Sequence, residues 1–202
     1  MRIISHRGWW HAPHEKNTPA AFRRTLEGGY GTETDVRDLA GRLVVSHDPA
    51  EADAMAWDDL LTLFHGAGLP LAVNVKADGL ADLLAAAFVG RDIPWFAFDM
   101  SGPETIRYAA AGLPFYTRHS DVEREPILYA EATGIWLDAF RHDWFDRSVV
   151  NRHIDAGKAV CVVSPELHGR DPHPVWERLS GLPDDAMLCT DLPDEANRVF
   201  RA

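Results

Sequence analysis

Short apolar, β-branched runs alternate with helix-forming stretches along the whole 202-residue chain, and that rhythm leaves few folds open. Strand-like runs fall at residues 2–7, 31–38 with a hairpin partner at 43–47, 70–77, 95–100, 114–118, 134–140, 159–164 and 186–191. Helix-like stretches lie between them at 18–27, 57–64, 80–88, 103–111, 126–132, 148–156, 174–179 and 194–200. Pro19, Pro103 and Pro174 sit in first helical turns, where a missing N–H costs nothing, and Gly28, Gly112, Gly134 and Gly157 mark helix ends. Strands that alternate with helices need crossover connections, which implies a parallel sheet. Eight such units in about 200 residues predict an α/β fold of the closed (β/α)8 TIM-barrel type, one domain over 1–202, near the lower size limit. A doubly wound open sheet competes with it, but the chain has no Gly-rich phosphate turn after its first strand.

A barrel of this kind carries its chemistry at the C-terminal ends of its strands, and those ends are polar here. His6, Asp35, His47, Lys76, Asp99, Arg118, Asp138, Glu166 and Asp191 punctuate nearly every strand run. Packing alone does not call for ionisable groups at so many equivalent places, because a buried charge is costly unless it is paired or bound to metal. Glu33 and Asp35 are two apart and so share a strand face. Side by side they repel unless a cation intervenes, and oxygen donors suit a hard ion such as Mg2+ or Ca2+. Taken alone, the pair would read as a solvated edge or a salt bridge to Arg37 or Arg42.

Asn74 and Lys76 repeat the two-residue spacing inside an apolar run. A lysine there needs an anion, either a phosphate or one of the carboxylates on the neighbouring strand. His6 and His47 each close a strand run, and a pair of imidazoles can serve as base and acid on opposite sides of a phosphodiester. Arg7 is a candidate phosphate clamp, although strict alternation turns it to the other face, toward a carboxylate such as Glu15. Asn17-Thr18 before Pro19 reads as a helix cap. Trp9 and Trp10 can line a pocket or pack on the core, and Asp99, Asp138 and Glu166 stand in reserve as ligands or substrate contacts, Asp99 first. The other histidines pair with no cysteine at ligand spacing, so no zinc site is expected.

The formal net charge of −11 would repel nucleic acid at long range. The expected partner is therefore a small phosphodiester held by local cations or a metal. No apolar stretch is long enough to cross a membrane. Met1-Arg2-Ile3-Ile4-Ser5 runs straight into His6, which argues against a removable leader, and Cys161 and Cys189 lie in apolar runs as free thiols of a reducing cytoplasm would.

Over its first 76 residues the chain resembles the glycerophosphodiester phosphodiesterases. The likeness rests on His6-Arg7-Gly8, on the turn and helix Asn17-Thr18-x-x-Ala21-Phe22, on Glu33-x-Asp35, and on the hairpin Gly41-x-Leu43-Val44-Val45-x-His47-Asp48. The resemblance implies a (β/α)8 barrel that uses a divalent cation, Mg2+ or Ca2+. It makes His6 and His47 the acid–base pair, Glu33 and Asp35 metal ligands, and Arg7 and Lys76 phosphate contacts. In that family a neighbouring hydroxyl is thought to attack first, giving a cyclic phosphate that water opens.

This chain departs from the family pattern at three places. Asn74-x-Lys76 stands where Glu-x-Lys is usual, so a neutral amide oxygen replaces one anionic ligand, with Asp99 or Glu166 as possible substitutes. Glu15-Lys16-Asn17-Thr18 carries one extra residue. Only 49–76 separates His-Asp from Asn-x-Lys, where an inserted segment commonly caps the site, and this suggests an open mouth and a bulkier or different phosphodiester. The leading expectation is a phosphoric diester hydrolase of this type. A phospho-ligand binding barrel without turnover, and an enzyme that stops at the cyclic phosphate, are the alternatives.

Overall fold

A computed structural model describes residues 1–201. Its strands are β1 (Arg2–His6), β2 (Gly31–Leu39), β3 (Arg42–Val45), β4 (Leu71–Val75), β5 (Trp95–Phe98), β6 (Tyr116–His119), β7 (Gly134–Leu137), β8 (Ala159–Val163) and β9 (Ala186–Thr190). The helices are α1 (Pro19–Glu27), α2 (Trp57–Phe64), α3 (Ala81–Phe88), α4 (Gly102–Ala110), α5 (Arg147–Asp155), α6 (His173–Leu179) and α7 (Pro193–Arg201). All strands but β3 run parallel, in the order β5-β4-β2-β1-β9-β8-β7-β6, and β3 pairs antiparallel with β2. A bridge between Ala97 and Phe115 joins the two ends, with the Ala97 N–H donating to the Pro114 carbonyl at 2.9 Å. The sheet is thus the expected (β/α)8 barrel, with its β5–β6 seam held more loosely than the other pairs.

Period-2 alternation decides what fills it. Ile4, Ala72, Phe96, Phe98, Tyr116, Trp136, Cys161 and Met187 face inward as one cluster. Phe96 stacks on Tyr116 at 3.6 Å and Phe98 on Trp136 at 3.7 Å, so large rings from β5, β6 and β7 occupy one half of the interior. The opposite half, built by β1, β2 and β4, carries Ala72 at the same level and leaves room for polar side chains above it. The alternate residues Val36, Leu71, Val73 and Val75 face outward onto Trp57, Leu60, Phe64 and Leu84 of the helices.

The helix expected over 126–132 does not form, and the β6–β7 connection is a set of turns. A bond from Ala132 N–H to the Leu128 carbonyl (3.0 Å) closes one turn, but Leu128 itself has φ +49°. A leucine in the left-handed region cannot propagate a right-handed helix. The connection is held from outside instead. Lys158 donates to the Ala130 and Ala132 carbonyls at 2.9 and 2.7 Å, and the Tyr129 hydroxyl bonds His153 Nδ1 at 2.9 Å. His153 Nε2 meets His119 Nδ1 at 3.0 Å.

Burial, then the neighbouring His119 and Arg152, push His153 down to about 4 from its ordinary 6.5. The unfolded chain therefore takes up a proton that the folded one refuses. The associated stability is complete above about pH 6.5 and is lost as pH falls toward 4, on the order of 1–2 kcal/mol. Urea midpoints at pH 7 and 5 should differ less in His153→Gln than in wild type; an identical drop in both would remove His153 as the cause.

Candidate active site

The mouth of the barrel is built from the turn after β1 upward. His6 is the last residue of β1, and the strand ends because Arg7 adopts φ +58° and Gly8 φ +82°. Buried hydroxyls hold this turn. The Gly8 N–H donates to Thr32 Oγ1 at 3.1 Å and the Trp9 N–H to Thr25 Oγ1 at 2.8 Å, while Ser5 Oγ contacts both threonines. Gly8 presses on α1 closely enough that a Cβ would lie 2.7 Å from Ala21 Cβ and 3.0 Å from its backbone carbon. Gly8→Ala combines that overlap with a left-handed backbone, and should lower the unfolding free energy by roughly 3 kcal/mol. An unshifted guanidinium midpoint would show that the turn relaxes freely.

The turn decides which way Arg7 faces. Because the strand stops at His6, Arg7 escapes the alternation and swings inward, its Nε 2.9 Å from Asp35 Oδ2. Glu15, its expected partner, pairs with Arg24 at 2.9 Å. The cap expected at Asn17-Thr18 forms at Thr18, which accepts from the Ala21 N–H. Asn17 (φ +59°) donates from Nδ2 to Asp35 Oδ2 at 2.8 Å.

Glu33 and Asp35 point into the barrel and are almost wholly buried, 1% and 0% exposed. Neither pairs with Arg37 or Arg42. Asp35 has Arg7 on one oxygen and Lys76 Nζ 3.4 Å from the other. Glu33 Oε2 accepts from the Arg7 N–H at 3.2 Å and lies 3.9 Å from His6 Nε2. Burial, and then the charge of Asp35, push the Glu33 carboxyl up to about 7, against the pull of His6, Arg7 and Lys76.

Asn74 pairs with Asp35 in the β2–β4 register. Its Oδ1 and Asp35 Oδ1 are both buried without a hydrogen-bond partner among the described residues. Two orphaned hard oxygens on adjacent strands, beside the Glu33 carboxylate, fit a divalent cation. Among the described residues no group of three or more His, Cys, Asp and Glu side chains is placed to hold a metal, and the oxygen that accompanies the two carboxylates here is the Asn74 amide.

His6 is oriented from the far end of the chain. Its Nδ1 lies 2.7 Å from Asp191 Oδ1, just past β9, which is the strand beside β1. A carboxylate only accepts, so Nδ1 carries the proton and Nε2 is left as the basic nitrogen on the Glu33 side. Burial would raise Asp191, but the His6 bond and charge, then Lys16, carry its carboxyl below the usual range. Lys16 sits 3.6 Å from Asp191 Oδ2 and 4.4 Å over the Trp10 ring, and the Trp10 indole N–H donates to the His6 carbonyl at 3.2 Å. Trp9 packs edge-on against Tyr30 instead.

His47 is placed differently from expectation. β3 stops at Val45, and a Ser46 Oγ bond to the Asp48 carbonyl turns the chain away. The His47 side chain is 44% exposed and touches the exposed Asp48 at 2.9 Å. No contact joins it to His6 among the described residues. The reserve carboxylates have partners of their own. Asp99 is bonded to Arg118, Asp138 to Arg118 and His168, and Glu166 to the Ser164 and Thr190 hydroxyls and the Asp191 N–H.

No family model and no curated protein matches this sequence. Solved structures do. A glycerophosphodiester phosphodiesterase from Agrobacterium tumefaciens str. C58 superposes with TM-score 0.75 at 20% identity, covering 100% of both chains. One from Parabacteroides distasonis ATCC 8503 gives 0.66 at 19%, over 99% of this chain and 96% of that one. A Galdieria sulphuraria protein provisionally given the same name reaches 0.78 at 14%, over 100% and 98%. At these identities the likeness establishes the fold: from end to end, the chain has the barrel found in glycerophosphodiester phosphodiesterases.

Proposed function

We propose that this chain is a metal-dependent phosphodiesterase acting on a glycerophosphodiester-like or other small phosphodiester. The observation that carries this reading is the buried Glu33–Asp35 pair, set between the His6–Asp191 dyad on one side and the Arg7 and Lys76 cations on the other. Glu33, Asp35 and the Asn74 amide would hold Mg2+ or Ca2+, which when bound supplies positive charge to the phosphoryl oxygens. Arg7 and Lys76 add fixed charge at the same place, and Arg7 also positions Asp35. His6 Nε2 takes the proton of the attacking oxygen while Asp191 steadies the imidazolium that forms. His47 gives a proton to the departing oxygen, reaching in from the open loop after β3. A reducing cytoplasm suits the two buried free thiols, Cys161 and Cys189.

The test is turnover of glycerophosphocholine and of bis(p-nitrophenyl) phosphate with Mg2+ or Ca2+ and after chelation. Hydrolysis that needs the cation supports the reading, and no product over hours under any condition refutes it. One observation favours a second reading, a phospho-ligand binding barrel: His47 is exposed and, among the described residues, makes no contact with His6. Calorimetric binding of glycerol phosphate without turnover would select it.

A further inference from the structure

His6 takes its direction from Asp191, and Asp191 takes its own from a carboxylate that the proposed chemistry leaves out. At the mouth end of the barrel the Ser164 N–H donates to the Cys189 carbonyl at 2.9 Å, after which the chain leaves β8 in a single 3₁₀ turn, Pro165–His168. Glu166 in that turn reaches back to the end of β9. Its Oε1 accepts from the Asp191 N–H at 3.0 Å and from the Thr190 hydroxyl, and its Oε2 accepts from the Ser164 hydroxyl. Three donors thus converge on one side chain.

The direction of these bonds is forced. The Trp176 indole N–H can only donate, and it lies 2.8 Å from Ser164 Oγ, so that hydroxyl turns its own proton to Glu166. The Leu192 N–H donates to Thr190 Oγ1 at 3.0 Å, which likewise leaves the Thr190 proton for Glu166. Ser164, Thr190 and Trp176 are fully buried, and donors so placed need a protein acceptor. Asp191 therefore starts from a fixed backbone. Its N–H and the hydroxyl of the residue before it are both clamped to Glu166, and from there Oδ1 reaches His6 Nδ1 at 2.7 Å. One chain of bonds runs from α6 through Ser164 and Glu166 to residues 190–191 and on to the imidazole.

We propose that Glu166 is a positioning residue: braced by Ser164 and Thr190, it fixes the Thr190–Asp191 segment so that Asp191 holds the His6 proton on Nδ1 and leaves Nε2 bare toward the reacting group. It acts through Asp191 and itself holds neither metal nor substrate. The proposal relies on the phosphodiesterase reading for what His6 does, but not for how the ring is held. This role uses reach and acceptor atoms more than charge. Glutamine keeps the reach, with a carbonyl oxygen for the Thr190 hydroxyl and the Asp191 N–H and an NH2 that can donate to Ser164 Oγ. Aspartate keeps the charge but withdraws its oxygens by one methylene.

The experiment compares wild type with Glu166→Gln, Glu166→Asp and Glu166→Ala in turnover of bis(p-nitrophenyl) phosphate with Mg2+, and in the nitrogen NMR signals of the His6 ring. Because displacing a catalytic group by about 1 Å can cost 10²-fold, kcat should fall about threefold in Glu166→Gln, about tenfold in Glu166→Asp and about 30–100-fold in Glu166→Ala, with KM within about twofold throughout. The ring should show the single Nδ1–H tautomer in wild type and Glu166→Gln, and a mixture in the other two. The Gln–Asp pair decides the matter even if Glu166→Ala fails to fold. Faster turnover by Glu166→Asp than by Glu166→Gln would make charge the function of Glu166 and overturn the proposal. So would equal kcat in all the variants, or one unchanged tautomer throughout. Should no protein turn over, the phosphodiesterase reading falls, and the NMR comparison alone still decides whether Glu166 sets the ring.

Discussion

His6→Ala is expected to slow phosphodiester hydrolysis by about 10²–10⁴-fold, the usual range for a positioned proton-transfer group, with little change in folding stability. The ring is 16% exposed and its Nδ1 bond ends on a carboxylate that Lys16 also faces, so removing it leaves Asp191 paired. Asp191→Asn isolates orientation from proton transfer. An amide can replace the carboxylate with its NH2 turned toward Nδ1, which places the ring proton on Nε2 and removes the base. Loss of one to two decades in kcat is expected, with KM close to wild type. His47→Ala should cost less on a p-nitrophenyl ester, whose leaving group needs no proton, than on an alkyl diester. Full activity of His6→Ala on both substrates would sink the mechanism, whatever the other variants do.

Asp35→Ala should produce the largest stability loss in the site, on the order of 3–4 kcal/mol. Asp35 is fully buried and the anion nearest both Arg7 Nε and Lys76 Nζ. Deleting it strands two cations at a largely buried position and takes away the acceptor of the Asn17 amide. Arg7 and Lys76 each keep about a fifth of their side-chain surface in solvent, which caps the penalty below that of a sealed charge pair. Asp35→Asn keeps the volume and one acceptor and should fall between the two proteins. A double variant, Asp35→Ala with Lys76→Met, should recover part of the loss because one of the stranded charges is gone. A guanidinium midpoint for Asp35→Ala equal to wild type would mean that the cluster contributes no net stability.

Much of this arrangement was legible along the chain. Glu33 and Asp35 had to share a face because strand side chains alternate, and the apolar residues on either side of Asn74 and Lys76 showed that their strand was buried. The (β/α)8 rhythm placed those residues at one end of a barrel. Where the reading went astray, a local rule met a tertiary constraint. Alternation favoured the outer face for Arg7, and the inward turn that the phosphate-clamp reading needs is imposed by Gly8 packing on Ala21 and by hydroxyls of Thr25 and Thr32, none of which alternation registers. The cap read at Asn17-Thr18 is Thr18, and nothing local showed that Asn17 would donate to the Asp35 carboxylate instead. The helix over 126–132 had the composition of one, but Leu128 and the ties to His153 and Lys158 took the backbone elsewhere.

Periodicity and motif spacing, which report on neighbours a few residues apart, were therefore sufficient to specify the strands, every helix but the one over 126–132, and the inward set His6, Glu33, Asp35 and Asn74. Only closure of the barrel could decide what those residues meet. It sets β9 beside β1 and so brings Asp191 to His6 across 185 positions, and it lines up Arg118, Asp138 and His168 on the opposite rim. Contacts of that range depend on the ring shutting, because each partner's identity is written in a different strand and no local pattern links the two.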